Sequence, residues 1–234
     1  MPSSTDETPP LGSRFDRRFV LFVLCFYAAW GVRVVLLMPV DGRIEAEWLQ
    51  QCWSQGLRLA IWVVPPIVYL RYVDGVRALS FLKLDCLPRD RRLVVGAGII
   101  AAFMVITATC ACLVQGGDLG RFATLSGARW VSLVAWASYI AFAEELLFRG
   151  FVFQKFRATH SFALASVSSA GLFLLIHWPG WLYMQGFHSG LLPLSASILL
   201  VGWVLALELE VTQSLWPPIL LHVLNNVLST TIMA

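Results

Sequence analysis

Seven apolar stretches, each close to the ~20 residues a helix needs to cross the hydrocarbon of a bilayer, dominate this chain of 234 residues. They run over Arg18–Val40, Leu57–Val73, Leu93–Val114, Trp130–Phe156, Phe162–Trp178, Leu191–Leu209 and Trp216–Met233. In lipid every backbone N–H and C=O must find its partner within the protein, which leaves helices for stretches of this length. The expected fold is therefore all-α: a polytopic transmembrane helical bundle of about seven spans. Charged residues make up 13% of the chain, against about 25% in soluble domains, so a soluble globular fold is excluded. The second stretch is the weakest, because Arg58 interrupts it and Pro65–Pro66 should kink or break its helix.

The flanks set organisation and orientation. Residues 1–17 begin with the polar, Ser/Thr/Pro-rich Met1–Ser13 and are expected to be a disordered tail. Arg14, Arg17 and Arg18 before Phe19–Trp30 look like the start of a signal peptide, yet no small-residue cleavage site follows, which predicts a retained first helix. Basic residues in the tail, in the second loop (Arg71, Arg77, Lys83, Arg89, Arg91, Arg92) and after the fourth span (Lys155, Arg157) fall on one side if there are seven spans. The opposite loops hold only Arg43, Arg121 and Arg129, which predicts a cytosolic N-terminus. The segment Glu208–Leu215 should share the cytosolic side but carries no Lys or Arg. The net charge of +3, with no basic run interleaved with aromatics, argues against nucleic acid. Cys25, Cys52, Cys86, Cys110 and Cys112 form no CxxC pair and read as buried small hydrophobes. Residues 18–129 thus hold N-terminal transmembrane helices and residues 130–234 a second helical core.

That core carries ionisable groups where hydrocarbon is expected. Glu144 and Glu145 lie side by side in Trp130–Phe156, each costing roughly 2.5–3.5 kcal/mol on insertion scales. Arg149, one turn beyond Glu145, offers a matching fork of donors. A purely structural network needs one base per acid, so Glu144, left over, points to function. His177 closes Phe173-Leu-Leu-Ile-His177, and His222 and Asn226, four apart, share a helix face. At 1.5 Å per residue these groups reach depths that agree within a turn or two, so one catalytic cavity between helices can hold them. His160 and His188 fall in loops.

The set suits amide hydrolysis. A carboxylate in low dielectric gains proton affinity and can act with His177 to deprotonate water. His222 and Asn226 can donate to the developing oxyanion, with Glu145 and Arg149 orienting the first carboxylate. Glu144-Glu145-x-x-x-Arg149, Phe173-x-x-x-His177 and His222-x-x-x-Asn226, in this order and each in an apolar stretch, resemble the CAAX protease and bacteriocin-processing family (CPBP, or Abi) of intramembrane endopeptidases. The resemblance covers about residues 130–230. It implies a glutamic-type protease in which Glu144 and His177 activate water while His222 and Asn226 form the oxyanion hole.

It also implies a membrane-anchored or lipidated protein or peptide substrate, with C-terminal processing or sorting-tail cleavage favoured over prenyl-protein trimming. The setting expected is the bacterial inner membrane. The chain ends eight residues after Asn226, so the last helix of CAAX-processing members is expected to be missing.

Three alternatives stay open. Zinc fits a two-His, one-carboxylate set of Glu144, His177 and His222 with an open position for water, although HExxH is absent. A non-catalytic membrane scaffold or assembly factor could keep the same fold. A proton-coupled transporter could use Glu144 as carrier, but no repeat or paired broken helices support it.

Overall fold

The computed structural model describes residues 17–232; the expected disordered tail lies outside the described residues except for Arg17, as does Met233. All regular secondary structure among the described residues is helical. Among the described residues six helices are long and apolar enough to cross a membrane: α1 (Arg17–Asp41), α2 (Glu47–Val73), α3 (Asp90–Gln115), α4 (Gly127–Arg157), α5 (Phe162–Gln185) and α6 (Leu191–Thr212). A seventh, α7 (Trp216–Ile232), is shorter at 17 residues and packs against α3, α4 and α6. The chain is a multi-pass membrane bundle, as its apolar stretches require.

Local sequence explains the helix ends. Ser126 and Ser161 cap α4 and α5, their hydroxyls accepting from the N–H groups of Arg129 and Leu164, each at 3.4 Å. Gly116, at φ 69°, closes α3 by sending its N–H back to the Ala111 carbonyl.

Two expected boundaries move. Helix α2 begins at Glu47, not Leu57, and continues through Pro65–Pro66. It does so by widening just before them into a π-type turn over Leu59–Val63, where the Val64 N–H bonds to the Leu59 carbonyl five residues back. This extra residue absorbs the clash and missing donor that proline brings. Helix α5 runs past Trp178–Pro179–Gly180, which the sequence marks as a membrane edge, to Gln185. Pro179 only interrupts it, with a turn at Ile176 whose carbonyl is taken by the Trp30 indole N–H at 2.9 Å. The Tyr27 hydroxyl donates to the Leu172 carbonyl in the same region.

The main core joins the two halves of the chain. Phe19 and Phe26 from α1 and Trp62, Tyr69 and Leu70 from α2 pack on Phe148, Phe151 and Phe173. Many of these rings meet edge to face, as their quadrupoles favour. The cysteines do not join such cores. Cys25, Cys52, Cys86 and Cys110 are exposed, Cys112 is half-buried, and all are free thiols. In a bilayer-embedded bundle apolar character no longer implies burial against protein, which is why the expectation of buried cysteines fails.

One end of the bundle gathers basic groups. The turn after α6 is strapped to residues 83–86: the Leu215 N–H bonds to the Lys83 carbonyl at 3.0 Å and the Ser214 hydroxyl to the Cys86 carbonyl at 2.7 Å. Lys83 donates to Gln213 at 2.6 Å, and Arg157 pairs with Glu210 at 2.9 Å. Burial lowers the pKa of the Lys83 ammonium below the usual lysine value, against the opposing pull of Glu210. The turn that lacks Lys and Arg of its own thus receives both from neighbouring loops.

Close approach of α5 and α6 brings the site residues together. A side chain at Gly202 would meet the Ala170 Cβ at 2.9 Å and Arg149 Nη2 at 3.3 Å. Gly202→Leu should therefore destabilise the protein by about 1–3 kcal/mol, seen as a lower unfolding midpoint in detergent. An unchanged midpoint would rule out the close crossing.

Candidate active site

The acids sit where α4 changes its winding. Regular α-helix covers Gly127–Glu145, and a wider π-type stretch follows over Leu146–Phe153 before α-helix resumes at Gln154. Such widened turns recur at functional sites because they re-aim neighbouring side chains. Here they follow two adjacent carboxylates that point to different partners.

Glu145 is fully buried and its Oε1 is shared. Arg149 Nη1 donates to it at 3.0 Å, and His222 Nδ1 lies 2.7 Å from it. Arg149 is also fully buried, and its guanidinium lies over the Phe173 ring at 4.3 Å from the centroid. Phe173 in turn presents its ring to His222, with centroids 5.9 Å apart and planes near perpendicular. Phe173 is thus both packing and a platform for two charged or polar site groups.

Glu144 is held more loosely. Its Oε2 lies 3.6 Å from His222 Nε2 and its Oε1 lies 3.6 Å from Nη1 of Arg58. The sequence reading of Glu144 as an acid without a base is corrected here: Arg58, from α2, is the second base. A charge inside an apolar stretch was the available signal, the same one that singled out the glutamates. In the sequence Arg58 only weakens the second apolar stretch, and no spacing links residue 58 to residue 144. Arg58 is fixed by two indoles, its Cζ 5.7 Å from the Trp30 ring centroid and 5.4 Å from that of Trp62.

His177 opens the second part of α5. Its Nδ1 lies 2.9 Å from the Phe173 carbonyl, and its ring packs on those of Phe173 and Trp181. A carbonyl only accepts, so Nδ1 must carry the proton and the neutral ring presents the Nε2 lone pair. The same argument applies to His222 over the Glu145 carboxylate, where the neutral ring has a lone pair at Nε2 and only the imidazolium has a donor there.

A cavity of about 240 Å³ collects these groups: Glu144, His177, His222 and Asn226 line it, together with Arg58 and Phe173. Glu145 and Arg149 lie behind it. All six residues singled out in the sequence are therefore brought to one place, four on the cavity wall and two beneath. Asn225 also reaches the wall. His160 and His188 stay in their loops, bonded to Thr159 and Gln185. As placed, no three His, Cys, Asp or Glu side chains among the described residues form a group able to hold a metal ion.

Residues 126–228 match the family model described as type II CAAX prenyl endopeptidase Rce1-like. The matched segment contains Glu144, Glu145, Arg149, His177, His222 and Asn226, so the resemblance to the CAAX-protease family carried by those motifs is borne out. No curated protein and no solved structure matches the chain.

The Glu145–Arg149 pair makes a stability prediction. Removing one member strands a buried charge, so Arg149→Met should cost about 3–5 kcal/mol. The double variant Arg149→Met/Glu145→Met should recover much of that loss in thermal unfolding of the detergent-solubilised protein. A double variant no more stable than the single one would show that the pair is not the unit described.

Proposed function

We propose that this protein is an intramembrane endopeptidase that hydrolyses a peptide bond of a membrane-anchored protein or peptide, with Glu144 as general base. The observation that carries this reading is the convergence of a loosely held carboxylate, two imidazoles and a carboxamide on one cavity at membrane depth. The family match over the same segment supports it. Glutamic-type chemistry without metal and C-terminal processing as the biological task belong to the proposal. So do a bacterial inner-membrane location and a cytosolic N-terminus.

Each group has a step. Glu144 takes a proton from water, while the Nε2 lone pair of His177 accepts the second O–H and orients it. The water oxygen bonds to the scissile carbonyl carbon, and the carbonyl electron pair moves to oxygen. The Asn226 amide donates to that oxyanion, joined by His222 through Nε2–H in its imidazolium form. The oxyanion's electron pair then re-forms the carbonyl as the C–N bond breaks, its electrons staying on nitrogen; Glu144 returns the proton to the leaving amine, and the new acid keeps the second proton of water. Arg149 fixes the Glu145 carboxylate in place, which in turn fixes the His222 ring.

In purified protein acting on a membrane-anchored peptide, Glu144→Ala should lower kcat by roughly 10²–10⁴-fold. Asn226→Ala should lower it by roughly 10²–10³-fold, with both variants remaining folded in detergent. Full activity in Glu144→Ala would remove the assignment. Dialysis against a strong zinc chelator should leave cleavage unchanged; loss restored by added zinc would instead establish the metal-dependent form.

A further inference from the structure

Among the described residues the ion pairs made by Arg and Lys fall into two groups, and Glu144 is also 3.6 Å from His222. Arg33–Asp41, Arg149–Glu145, Lys155–Asp74 and Arg157–Glu210 close to between 2.5 and 3.0 Å. Arg58–Glu144 stays at 3.6 Å, beyond the 2.7–3.2 Å of a direct hydrogen bond. Arg58 is no looser a side chain than the others, since the Trp30 and Trp62 rings hold it in place. Among the described residues it makes no hydrogen bond. Its side chain is 23% exposed and lines the cavity, so its N–H donors are open to whatever enters there. A merely neutralising arginine would close on Glu144 as Arg149 closes on Glu145.

We infer that Arg58 is a specificity-determining residue that binds a carboxylate of the substrate beside the scissile bond. The planar fork of N–H donors matches a carboxylate bidentately, where a carbonyl would engage only part of it. Position agrees with this chemistry. Arg58 flanks Glu144 on the Oε1 side, away from His222 on the Oε2 side, so a peptide bond over the base puts residues on one side of the cut at the guanidinium. The cavity, about 240 Å³, is smaller than the roughly 300–1,000 Å³ of a drug-sized pocket, so the chain between cut and anchor is short. The carboxylate is either the free C-terminus or the side chain of an acidic residue near the cut. This inference rests on the protease reading for the meaning of the cut, but the anchor itself is testable by binding alone.

The probe is an acylated, otherwise uncharged octapeptide in detergent micelles, titrated calorimetrically into the purified full chain. It is prepared as the free acid, as the C-terminal carboxamide, and as the carboxamide with one glutamate next to its end. Free acid binding roughly tenfold or more tighter than carboxamide, with the preference lost in Arg58→Gln and partly kept in Arg58→Lys, establishes the anchor and a C-terminal source. Equal tightening by the internal glutamate establishes the anchor with a side-chain source. Equal binding of all three probes, or a preference that survives in Arg58→Gln, overturns it. So does an Arg58→Gln effect confined to kcat with the same KM for acid and carboxamide, which would mean that Arg58 acts only through Glu144. Should the carboxylate preference exist while no probe or anchored peptide is cleaved, the anchor stands and the protease reading fails.

Discussion

The buried contact between Arg149 and Glu145, with His222 as third partner, is the interaction on which the rest of the site depends. Both charged groups are fully enclosed, so their net contribution to stability is small or negative, whereas breaking the pair is expensive. What the pair secures is position. It ties α4 to α7 through His222, and through the Phe173 ring to α5. Gly202 and Ala170 keep α6 close enough to cover the guanidinium. Four helices thus share one charge cluster, and the cavity lies on its exposed side.

This arrangement separates the two glutamates by environment. Glu145 has an arginine and an imidazole within 3.0 Å, while Glu144 has the same two kinds of neighbour at 3.6 Å. Adjacent residues of one type therefore come to differ in freedom: one is locked in place, and the other lines the cavity and is held more loosely. The widened turn over Leu146–Phe153 follows both of them and is enclosed by aromatic rings of α1 and α2.

Much of this was legible in the chain. The apolar stretches gave a helical membrane bundle, and the misplaced polar residues marked Glu144, Glu145, Arg149, His177, His222 and Asn226, because charge in hydrocarbon is costly wherever it falls. Spacing within one helix paired Glu145 with Arg149 and His222 with Asn226. Contacts between helices were out of reach, and Arg58 shows why: nothing in a single sequence ties a residue of the second helix to one of the fourth. The π-type turns were hidden as well, since they answer to proline and packing together. Glu144 is not a surplus acid, because Arg58 stands 3.6 Å from it.

The hydrogen bonds from Tyr27 and Trp30 to the carbonyls of Leu172 and Ile176 reach beyond helix packing. They satisfy acceptors in the helix that carries His177, near its interruption by Pro179, and they come from a part of the chain outside the family-matching segment. Arg58 comes from there too. Without those residues, 126–228 would keep two carbonyls without their donors and an acid without its arginine, so the family-matching segment is not a self-sufficient unit. Any front half exchanged onto it must bring a cation and two donors at the same heights.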